Sequence, residues 1–373
     1  MRRWRRVAAG ARCAGQERER LMRLILSSCV AGLLLACAAP AMMGQAKAAV
    51  KVEADGMVEV PAESVPTSKF LTPEGRAYLV QHLHDMQDPT MTYTEKGVPR
   101  FMRPYVERQK VLFRVRMEDT SIGGVHVFQY LPEAGLKAEN EHRVLIDLHG
   151  GGFSGCWPGC AELESMPMAA LGRIKVVSVD YREGPEHVFP AASEDVASVY
   201  RALLKEYKPG EIGIYGCSAG GMLTAESVAW LQKQGLPRPG AVGIYCASAG
   251  AFGGDATYTS TPLGEGRFMP ATAGDGVRLG YFKGTDPKDP LVTPLDSAEV
   301  MAKFPPTLVI TGTRDFAMSG AIFTHSELTR LGVDAELHVW EGMFHGFFYN
   351  PDVPESRDAY AVMTRFFETH LER

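Results

Sequence analysis

Ile212-Gly213-Ile214-Tyr215-Gly216-Cys217-Ser218-Ala219-Gly220-Gly221 is the stretch that decides the fold. The apolar run Ile212 to Tyr215 suits a strand buried on both faces. A helical pattern begins near Ala219 and runs to Gln234. Between the two, Gly216-x-Ser218-x-Gly220 reads as a sharp turn with a serine at its apex. Such a turn is strained, and the flanking glycines leave room for neighbouring backbone. The helix N-terminus then aims free N–H groups and the positive end of its dipole at the reacting oxygen. A serine in this strand–turn–helix setting is a candidate nucleophile. The near-repeat Cys246-Ala247-Ser248-Ala249-Gly250 lacks the first glycine and reads as a strand end.

Outward from this turn, strands alternate with helices. Val111 to Met117 and Val125 to Tyr130 alternate in polarity and predict an antiparallel start. Short apolar runs follow at Val144–Leu148, Val176–Val179, Val242–Tyr245, Leu308–Ile310 and Leu337–Trp340. Helical patterns cover Ala192–Tyr207, Gly320–Leu331 and Arg357–Leu371. Strand–helix alternation predicts a mostly parallel sheet covered on both sides. Two segments break the rhythm: residues 49–110, with a helix-like stretch from Pro73 to Met86, and residues 251–297, rich in Gly, Pro and Thr. Both are candidates for a cap over the sheet's C-terminal edge, where ligands bind in open α/β sheets. The main body of the fold is then 111–373.

The chemistry around Ser218 extends to three other places. His149-Gly150-Gly151-Gly152-Phe153 follows directly on the Val144–Leu148 strand. Consecutive glycines let backbone approach a substrate and aim N–H groups at it, as an oxyanion loop does. Gly151 and Gly152, with Ala219 after the serine, are the candidate oxyanion donors. A serine hydroxyl also needs a base, and the base needs an orienting acid. On a strand–turn–helix serine the chain order is Ser, acid, His. Of the four histidines after Ser218, His325 lies mid-helix, His338 lies within a strand and His370 is near the terminus. His345 sits in the loop after the last strand and is the candidate base. Asp315 follows the preceding strand and is the candidate acid, against rivals Asp286, Asp289 and Asp334.

Composition narrows the class. The chain has 373 residues, is 45% apolar and 22% charged, and carries a formal charge of -5. That is ordinary globular composition, without internal repeats. Residues 1–48 hold nine bases and two acids, so the remainder, with 30 bases and 42 acids, carries -12. An acidic body lacks the electrostatic footprint for nucleic acid or anionic lipid. Met22-Arg23 opens an apolar run from Leu24 to Ala36, long enough for a signal-peptide core and too short for a membrane span. Ala46-Lys47-Ala48 fits a cleavage site, so residues 1–48 are expected to be a signal peptide, with Met22 a second candidate start. Export to the periplasm or medium is the expected location. Leu34-Leu35-Ala36-Cys37 also resembles a lipoprotein box that would anchor the mature chain at Cys37. In an oxidising compartment Cys156 and Cys160 either pair within one loop or stay free. No metal site is expected: Cys156-x3-Cys160 has no nearby histidine pair, and His82-x-His84 reads as solvated surface histidines.

Taken together, His149–Phe153, Asp180-Tyr181-Arg182-x-x-Pro185-Glu186-His187-x-Phe189-Pro190-Ala191, Gly216–Gly221, Asp289-Pro290-Leu291-Val292-Thr293-Pro294, Asp315 and His345-Gly346-Phe347 resemble the bacterial hormone-sensitive-lipase-like branch of the α/β-hydrolases. The match spans most of residues 110–373. The resemblance implies an α/β-hydrolase fold, with a mostly parallel eight-stranded sheet flanked by helices and topped by a helical cap. It implies Ser218 as nucleophile, His345 as base, Asp315 as its partner, and oxyanion donors at Gly151, Gly152 and Ala219. It implies hydrolysis of small-molecule esters of short- to medium-chain acids without a cofactor, and dimers are common among its members. Cys217 departs from the usual Asp or Thr and is expected to pack under the turn. Trp157 either walls the substrate pocket or is an ordinary buried aromatic. An amidase or peptidase on the same three residues is the alternative activity, and a non-catalytic hydrolase-like receptor the alternative class.

Overall fold

The computed structural model pairs eight runs of the chain into one sheet. They are β1 (Val115–Ile122), β2 (Val125–Pro132), β3 (Val144–Leu148), β4 (Lys175–Val179), β5 (Ile212–Cys217), β6 (Ala241–Tyr245), β7 (Thr307–Gly312) and β8 (Ala335–Trp340). Across the sheet the order is β1-β2-β4-β3-β5-β6-β7-β8. β1 pairs with β2, and β2 with β4, in antiparallel register. All remaining neighbours are parallel. The structure describes residues 50–372 except 61, 96, 251 and 269–279. The expected signal peptide, the Met22 start and the Cys37 anchor lie outside the described residues, as does part of the 251–297 insertion. The chain divides after Ser64. Before that point the described residues carry a short hairpin, Lys51–Val52 against Val58–Glu59.

Alternation within each buried strand fills both sides of the sheet. Leu145, Tyr215, Tyr245 and Ile310 face Leu163, Met166 and Phe367 of helices α3 (Gly159–Gly172) and α9 (Pro354–His370). Val144, Ile146, Ile214 and Ile244 face Val196 and Leu223 of α4 (Ala191–Leu203) and α5 (Ala219–Lys233). Each such fully buried aliphatic side chain stabilises the fold by roughly 1.5–3 kcal/mol. Layers on both faces explain why β3 to β7 read as continuous apolar runs.

One strand start needs correction. The run from Val111 was expected to be strand, but helix α2 (Arg103–Leu112) continues to Leu112, and β1 begins only at Val115. Val106 and Gln109 of α2 are buried three residues apart, the spacing of a helix face. β1 lies at the sheet edge and exposes Glu118 and Asp119, so its polar half gave little strand signal.

Pro66 of the first segment outside the rhythm and Leu263 of the second meet at the loop after β7. Helix α1 (Pro73–Gln87) is capped by Thr72, whose hydroxyl accepts from Gly75 N at 3.0 Å. Glu355 at the start of α9 accepts in turn from Thr72 N and Thr72 Oγ1, each at 2.8 Å. The insertion contributes two short helices, α6 (Asp255–Thr259) and α7 (Thr261–Glu265), and α7 packs on α1. The buried Arg314 guanidinium, in that loop, donates to Pro66 O at 2.8 Å and to Leu263 O at 3.0 Å. Among the described residues no helix is long and apolar enough to cross a membrane.

Candidate active site

Because β3, β5, β6, β7 and β8 run parallel, the loops leaving their C-terminal ends share one edge. His149–Phe153 leaves β3, Ser218 leaves β5, Cys246 leaves β6, Asp315 follows β7 and His345 follows β8. The loops carrying Gly151, Gly152, Ser218, Asp315 and His345 therefore open on one edge of the sheet.

Ser218 has φ 58° and ψ -120°, a conformation that non-glycine residues rarely adopt. Holding it there costs about 1–3 kcal/mol. Ser218 N donates to Tyr245 O at 2.8 Å, and Met222 N donates to Ser218 O at 3.0 Å. The glycine spacing has a steric cause. A Cβ on Gly216 would stand 2.2 Å from Leu148 O, and one on Gly220 1.6 Å from the same oxygen. The turn thus presses directly on the end of β3, beside the glycine loop. Cys217 is fully buried beneath it, as expected.

The glycine loop is shaped by its own backbone. Gly151 has φ 128° and Gly152 has φ 66°. A Cβ on Gly151 would meet Gly155 O at 1.9 Å. Tyr181 stacks on His149 at 4.4 Å and donates its hydroxyl to His149 O at 2.6 Å. Gly184 N donates to Phe153 O at 2.8 Å. The Asp180–Ala191 motif is therefore a brace for this loop. Cys156 and Cys160 form a disulfide just beyond it, leading into α3. Trp157 is an aromatic packed on Phe128 at 4.7 Å and His149 at 5.5 Å. Ala219 opens α5, so its N–H is among those with no acceptor inside the helix.

His345 and Asp315 meet directly. His345 Nδ1 donates to Asp315 Oδ1 at 2.8 Å, which leaves Nε2 to exchange a proton. Asp315 is fully buried and also accepts from Ala317 N and Thr311 Oγ1, each at 2.9 Å. Burial alone would raise its carboxyl. The charge and hydrogen bond of His345, with these two donors, pull it below the usual range instead. For His345, burial pushes down, but the Asp315 charge and hydrogen bond, Cys217 and Glu265 together lift the imidazole to about 9. Phe316 stacks on its ring at 4.2 Å.

The base loop is tied to the nucleophile turn through Cys246. Gly346 N donates to Cys246 Sγ at 3.3 Å, and the preceding Tyr245 carbonyl holds Ser218 N. Among the described residues, Cys246, Asp315 and His345 are the one trio whose donor atoms lie close enough to share a metal ion. Each is already engaged, and burial pushes the Cys246 thiol well above its usual range, so it stays a neutral S–H.

The rivals lie elsewhere. Asp286 and Asp289 accept from nearby backbone N–H groups within their own turns. His325, on α8 (Met318–Arg330), bonds Ala335 O, His338 pairs with Glu336, and His370 pairs with Asp334. His82 corrects an expectation. It is buried, stacked on Phe344 at 3.8 Å, and lowered to about 3 by burial and by the nearby His345. His84 is exposed, as its helix position dictates.

One residue was missed outright. Glu164 on α3 is buried, and its carboxylate accepts from Gly150 N at 2.9 Å, Cys217 N at 2.9 Å and Tyr349 Oη at 2.8 Å. Burial, with Cys217 and Asp147 nearby, pushes it well above the usual carboxylate range against these donors. A signal was present: Glu162 and Glu164 stand two apart in an apolar helix, so both cannot point outward.

Comparison with known proteins agrees with this fold. A family model described as alpha/beta hydrolase fold matches residues 145–349, more than half of the chain. An acetyl-hydrolase of Streptomyces hygroscopicus is 29% identical over 236 residues, 62% of this chain and 77% of that protein. The carboxylesterase/phospholipase LipF of Mycobacterium tuberculosis is 31% identical over 228 residues, 59% of this chain and 60% of that protein. The crystal structure of esterase E25 superposes with a TM-score of 0.70 at 29% identity, covering 84% of this chain and 99% of the other. An esterase from the bacterial hormone-sensitive lipase family gives a TM-score of 0.67 at 25% identity, over 79% of this chain and 99% of the other. The chain belongs to the α/β-hydrolase family, and its structural neighbours include esterases of the bacterial hormone-sensitive lipase branch.

Proposed function

We propose that this protein hydrolyses carboxylic esters of short- to medium-chain acids through an acyl-serine intermediate. The observation that carries the reading is the buried Asp315–His345 pair at 2.8 Å, delivered by β7 and β8 to the edge where β5 presents Ser218. His345 Nε2 takes the Ser218 proton as the oxygen attacks the ester carbonyl. Asp315 holds the Nδ1–H tautomer and offsets the charge on the imidazolium. The N–H groups of Gly151, Gly152 and Ala219 receive the developing oxyanion. His345 then protonates the departing alcohol, and a water deprotonated by the same nitrogen releases the acid. The ester-hydrolase names of the relatives and structural neighbours support this reading. Ser218→Ala is expected to abolish hydrolysis of a short nitrophenyl ester in a folded protein; retained turnover would refute the assignment.

We read the chain as exported, on the leader-like residues 1–48, and the Cys156–Cys160 disulfide suits an oxidising compartment. A homodimer is part of the same reading, by analogy with the family.

A further inference from the structure

We infer that Glu164 is the positioning residue that holds the oxyanion loop, the nucleophile turn and the base loop in mutual register, an inference that rests on the ester-hydrolase reading above. Its three donors come from three separate segments. Gly150 N belongs to the loop after β3, Cys217 N to the peptide joining Gly216 to Cys217 just before Ser218, and Tyr349 Oη to the turn four residues past His345. These segments converge to contact. A Cβ on Gly150 would stand 3.0 Å from Cys217 O and 3.3 Å from both Glu164 Oε1 and Tyr349 Oη.

The consequence follows from peptide planarity. The Gly150 N–H points back at Glu164, so it is not offered to substrate. That bond fixes the plane of the peptide entering Gly150, and hence the directions from which the N–H groups of Gly151 and Gly152 continue. The bond to Cys217 N fixes the peptide one residue before Ser218 in the same way. Glu164 touches no reacting atom and acts through these backbones. A carboxyl group suits the task because both of its oxygens can accept: Oε1 takes Gly150 N and Tyr349 Oη, and Oε2 takes Cys217 N. The amide of a glutamine would set an N–H donor against either Gly150 N or Cys217 N.

The test compares Glu164→Gln, Tyr349→Phe and Ser218→Ala in the full-length protein on a short nitrophenyl ester. Rates are normalised to active sites titrated by a phosphonylating ester, and inhibition by an alkyl boronic acid, a mimic of the tetrahedral adduct, is measured alongside. Misplacing an oxyanion donor lowers kcat by about 10²–10³-fold, so Glu164→Gln is expected to lose roughly 10²-fold in kcat with KM unchanged and boronate affinity reduced in parallel. Tyr349→Phe removes one of the three bonds and is expected to lose about 5-fold, the scale of one neutral hydrogen bond. A purely structural role would reduce the number of titratable sites and leave kcat per site alone. That result, or a loss confined to KM, would overturn the inference. If Glu164→Gln does not fold, Tyr349→Phe decides by the same criteria. An active Ser218→Ala would sink the ester-hydrolase reading; an inactive Ser218→Ala beside a full-speed Glu164→Gln would sink only the role of Glu164.

Discussion

Replacing Asp315 by Asn tests the carboxylate–imidazole pair with little change of shape. In the native protein Asp315 Oδ1 fixes Nδ1–H of His345 at 2.8 Å, and the pair lifts the imidazole from 6.5 to about 9. That difference corresponds to about 3 kcal/mol in favour of the charged ring. The base works only when neutral, so native kcat/KM rises as pH climbs through the raised value, giving an alkaline limb. An asparagine carries no charge, and burial then acts with less opposition, so the imidazole falls back toward or below 6.5 and the limb moves to acid. Asn can also turn its N–H₂ toward Nδ1 and stabilise the wrong tautomer. Loss of the orienting acid in such triads costs about 10⁴-fold in kcat. The assay is kcat/KM for a short nitrophenyl ester from pH 5 to 10, read where nitrophenol and nitrophenolate absorb equally. A limb that stays in place in Asp315→Asn, or a loss below about tenfold, would refute the coupling. Stability carries the same sign. A raised folded pKa stabilises fully below 6.5 and the contribution is lost as pH rises through about 9, so the stability gap between native and Asp315→Asn should narrow over that interval.

Two further outcomes are open to measurement. Serine at both Cys156 and Cys160 opens a small loop, and the chain-entropy relation puts the loss at about 2 kcal/mol, read as a lower urea midpoint with an unchanged slope. His82 is held near 3 in the fold, so on acidification the unfolded chain binds its proton first and stability falls as pH drops below 6.5. Between pH 6.5 and 5 the native protein should therefore lose about 2 kcal/mol more than His82→Phe in chemical denaturation, and parallel curves would contradict the buried, uncharged ring.

The sheet was readable because its strands are buried on both faces, which forces apolar runs such as Val144–Leu148 and Ile212–Tyr215. The site was readable because close backbone approach leaves a mark in composition: Gly216 and Gly220 are glycine because Leu148 O lies where a side chain would be. His345 and Asp315 followed from chain order together with their places in the loops after the last two strands. What escaped depends on tertiary context. Val111 and Leu112 are apolar but finish an exposed helix end, a distinction no local pattern carries. His82 looked polar and was expected in water, yet the face of α1 it shares with Tyr78 and Leu79 turns inward onto Phe344. Glu164 was one acid among several until its three partners, distant in the chain, were brought to it. The Cys156–Cys160 pairing was open in either direction until the loop geometry closed it.

Arg314, next to the candidate acid Asp315, anchors the N-terminal segment and the insertion by gripping main-chain carbonyls, Pro66 O and Leu263 O, rather than side chains. The side chains of Pro66 and Leu263 are left free by this clasp, while Gly264 beside it is not, because a Cβ there would stand 2.0 Å from Arg314 O. Exchanging either segment in this chain therefore has to keep a carbonyl within reach of the guanidinium and a glycine where the insertion passes Arg314 O.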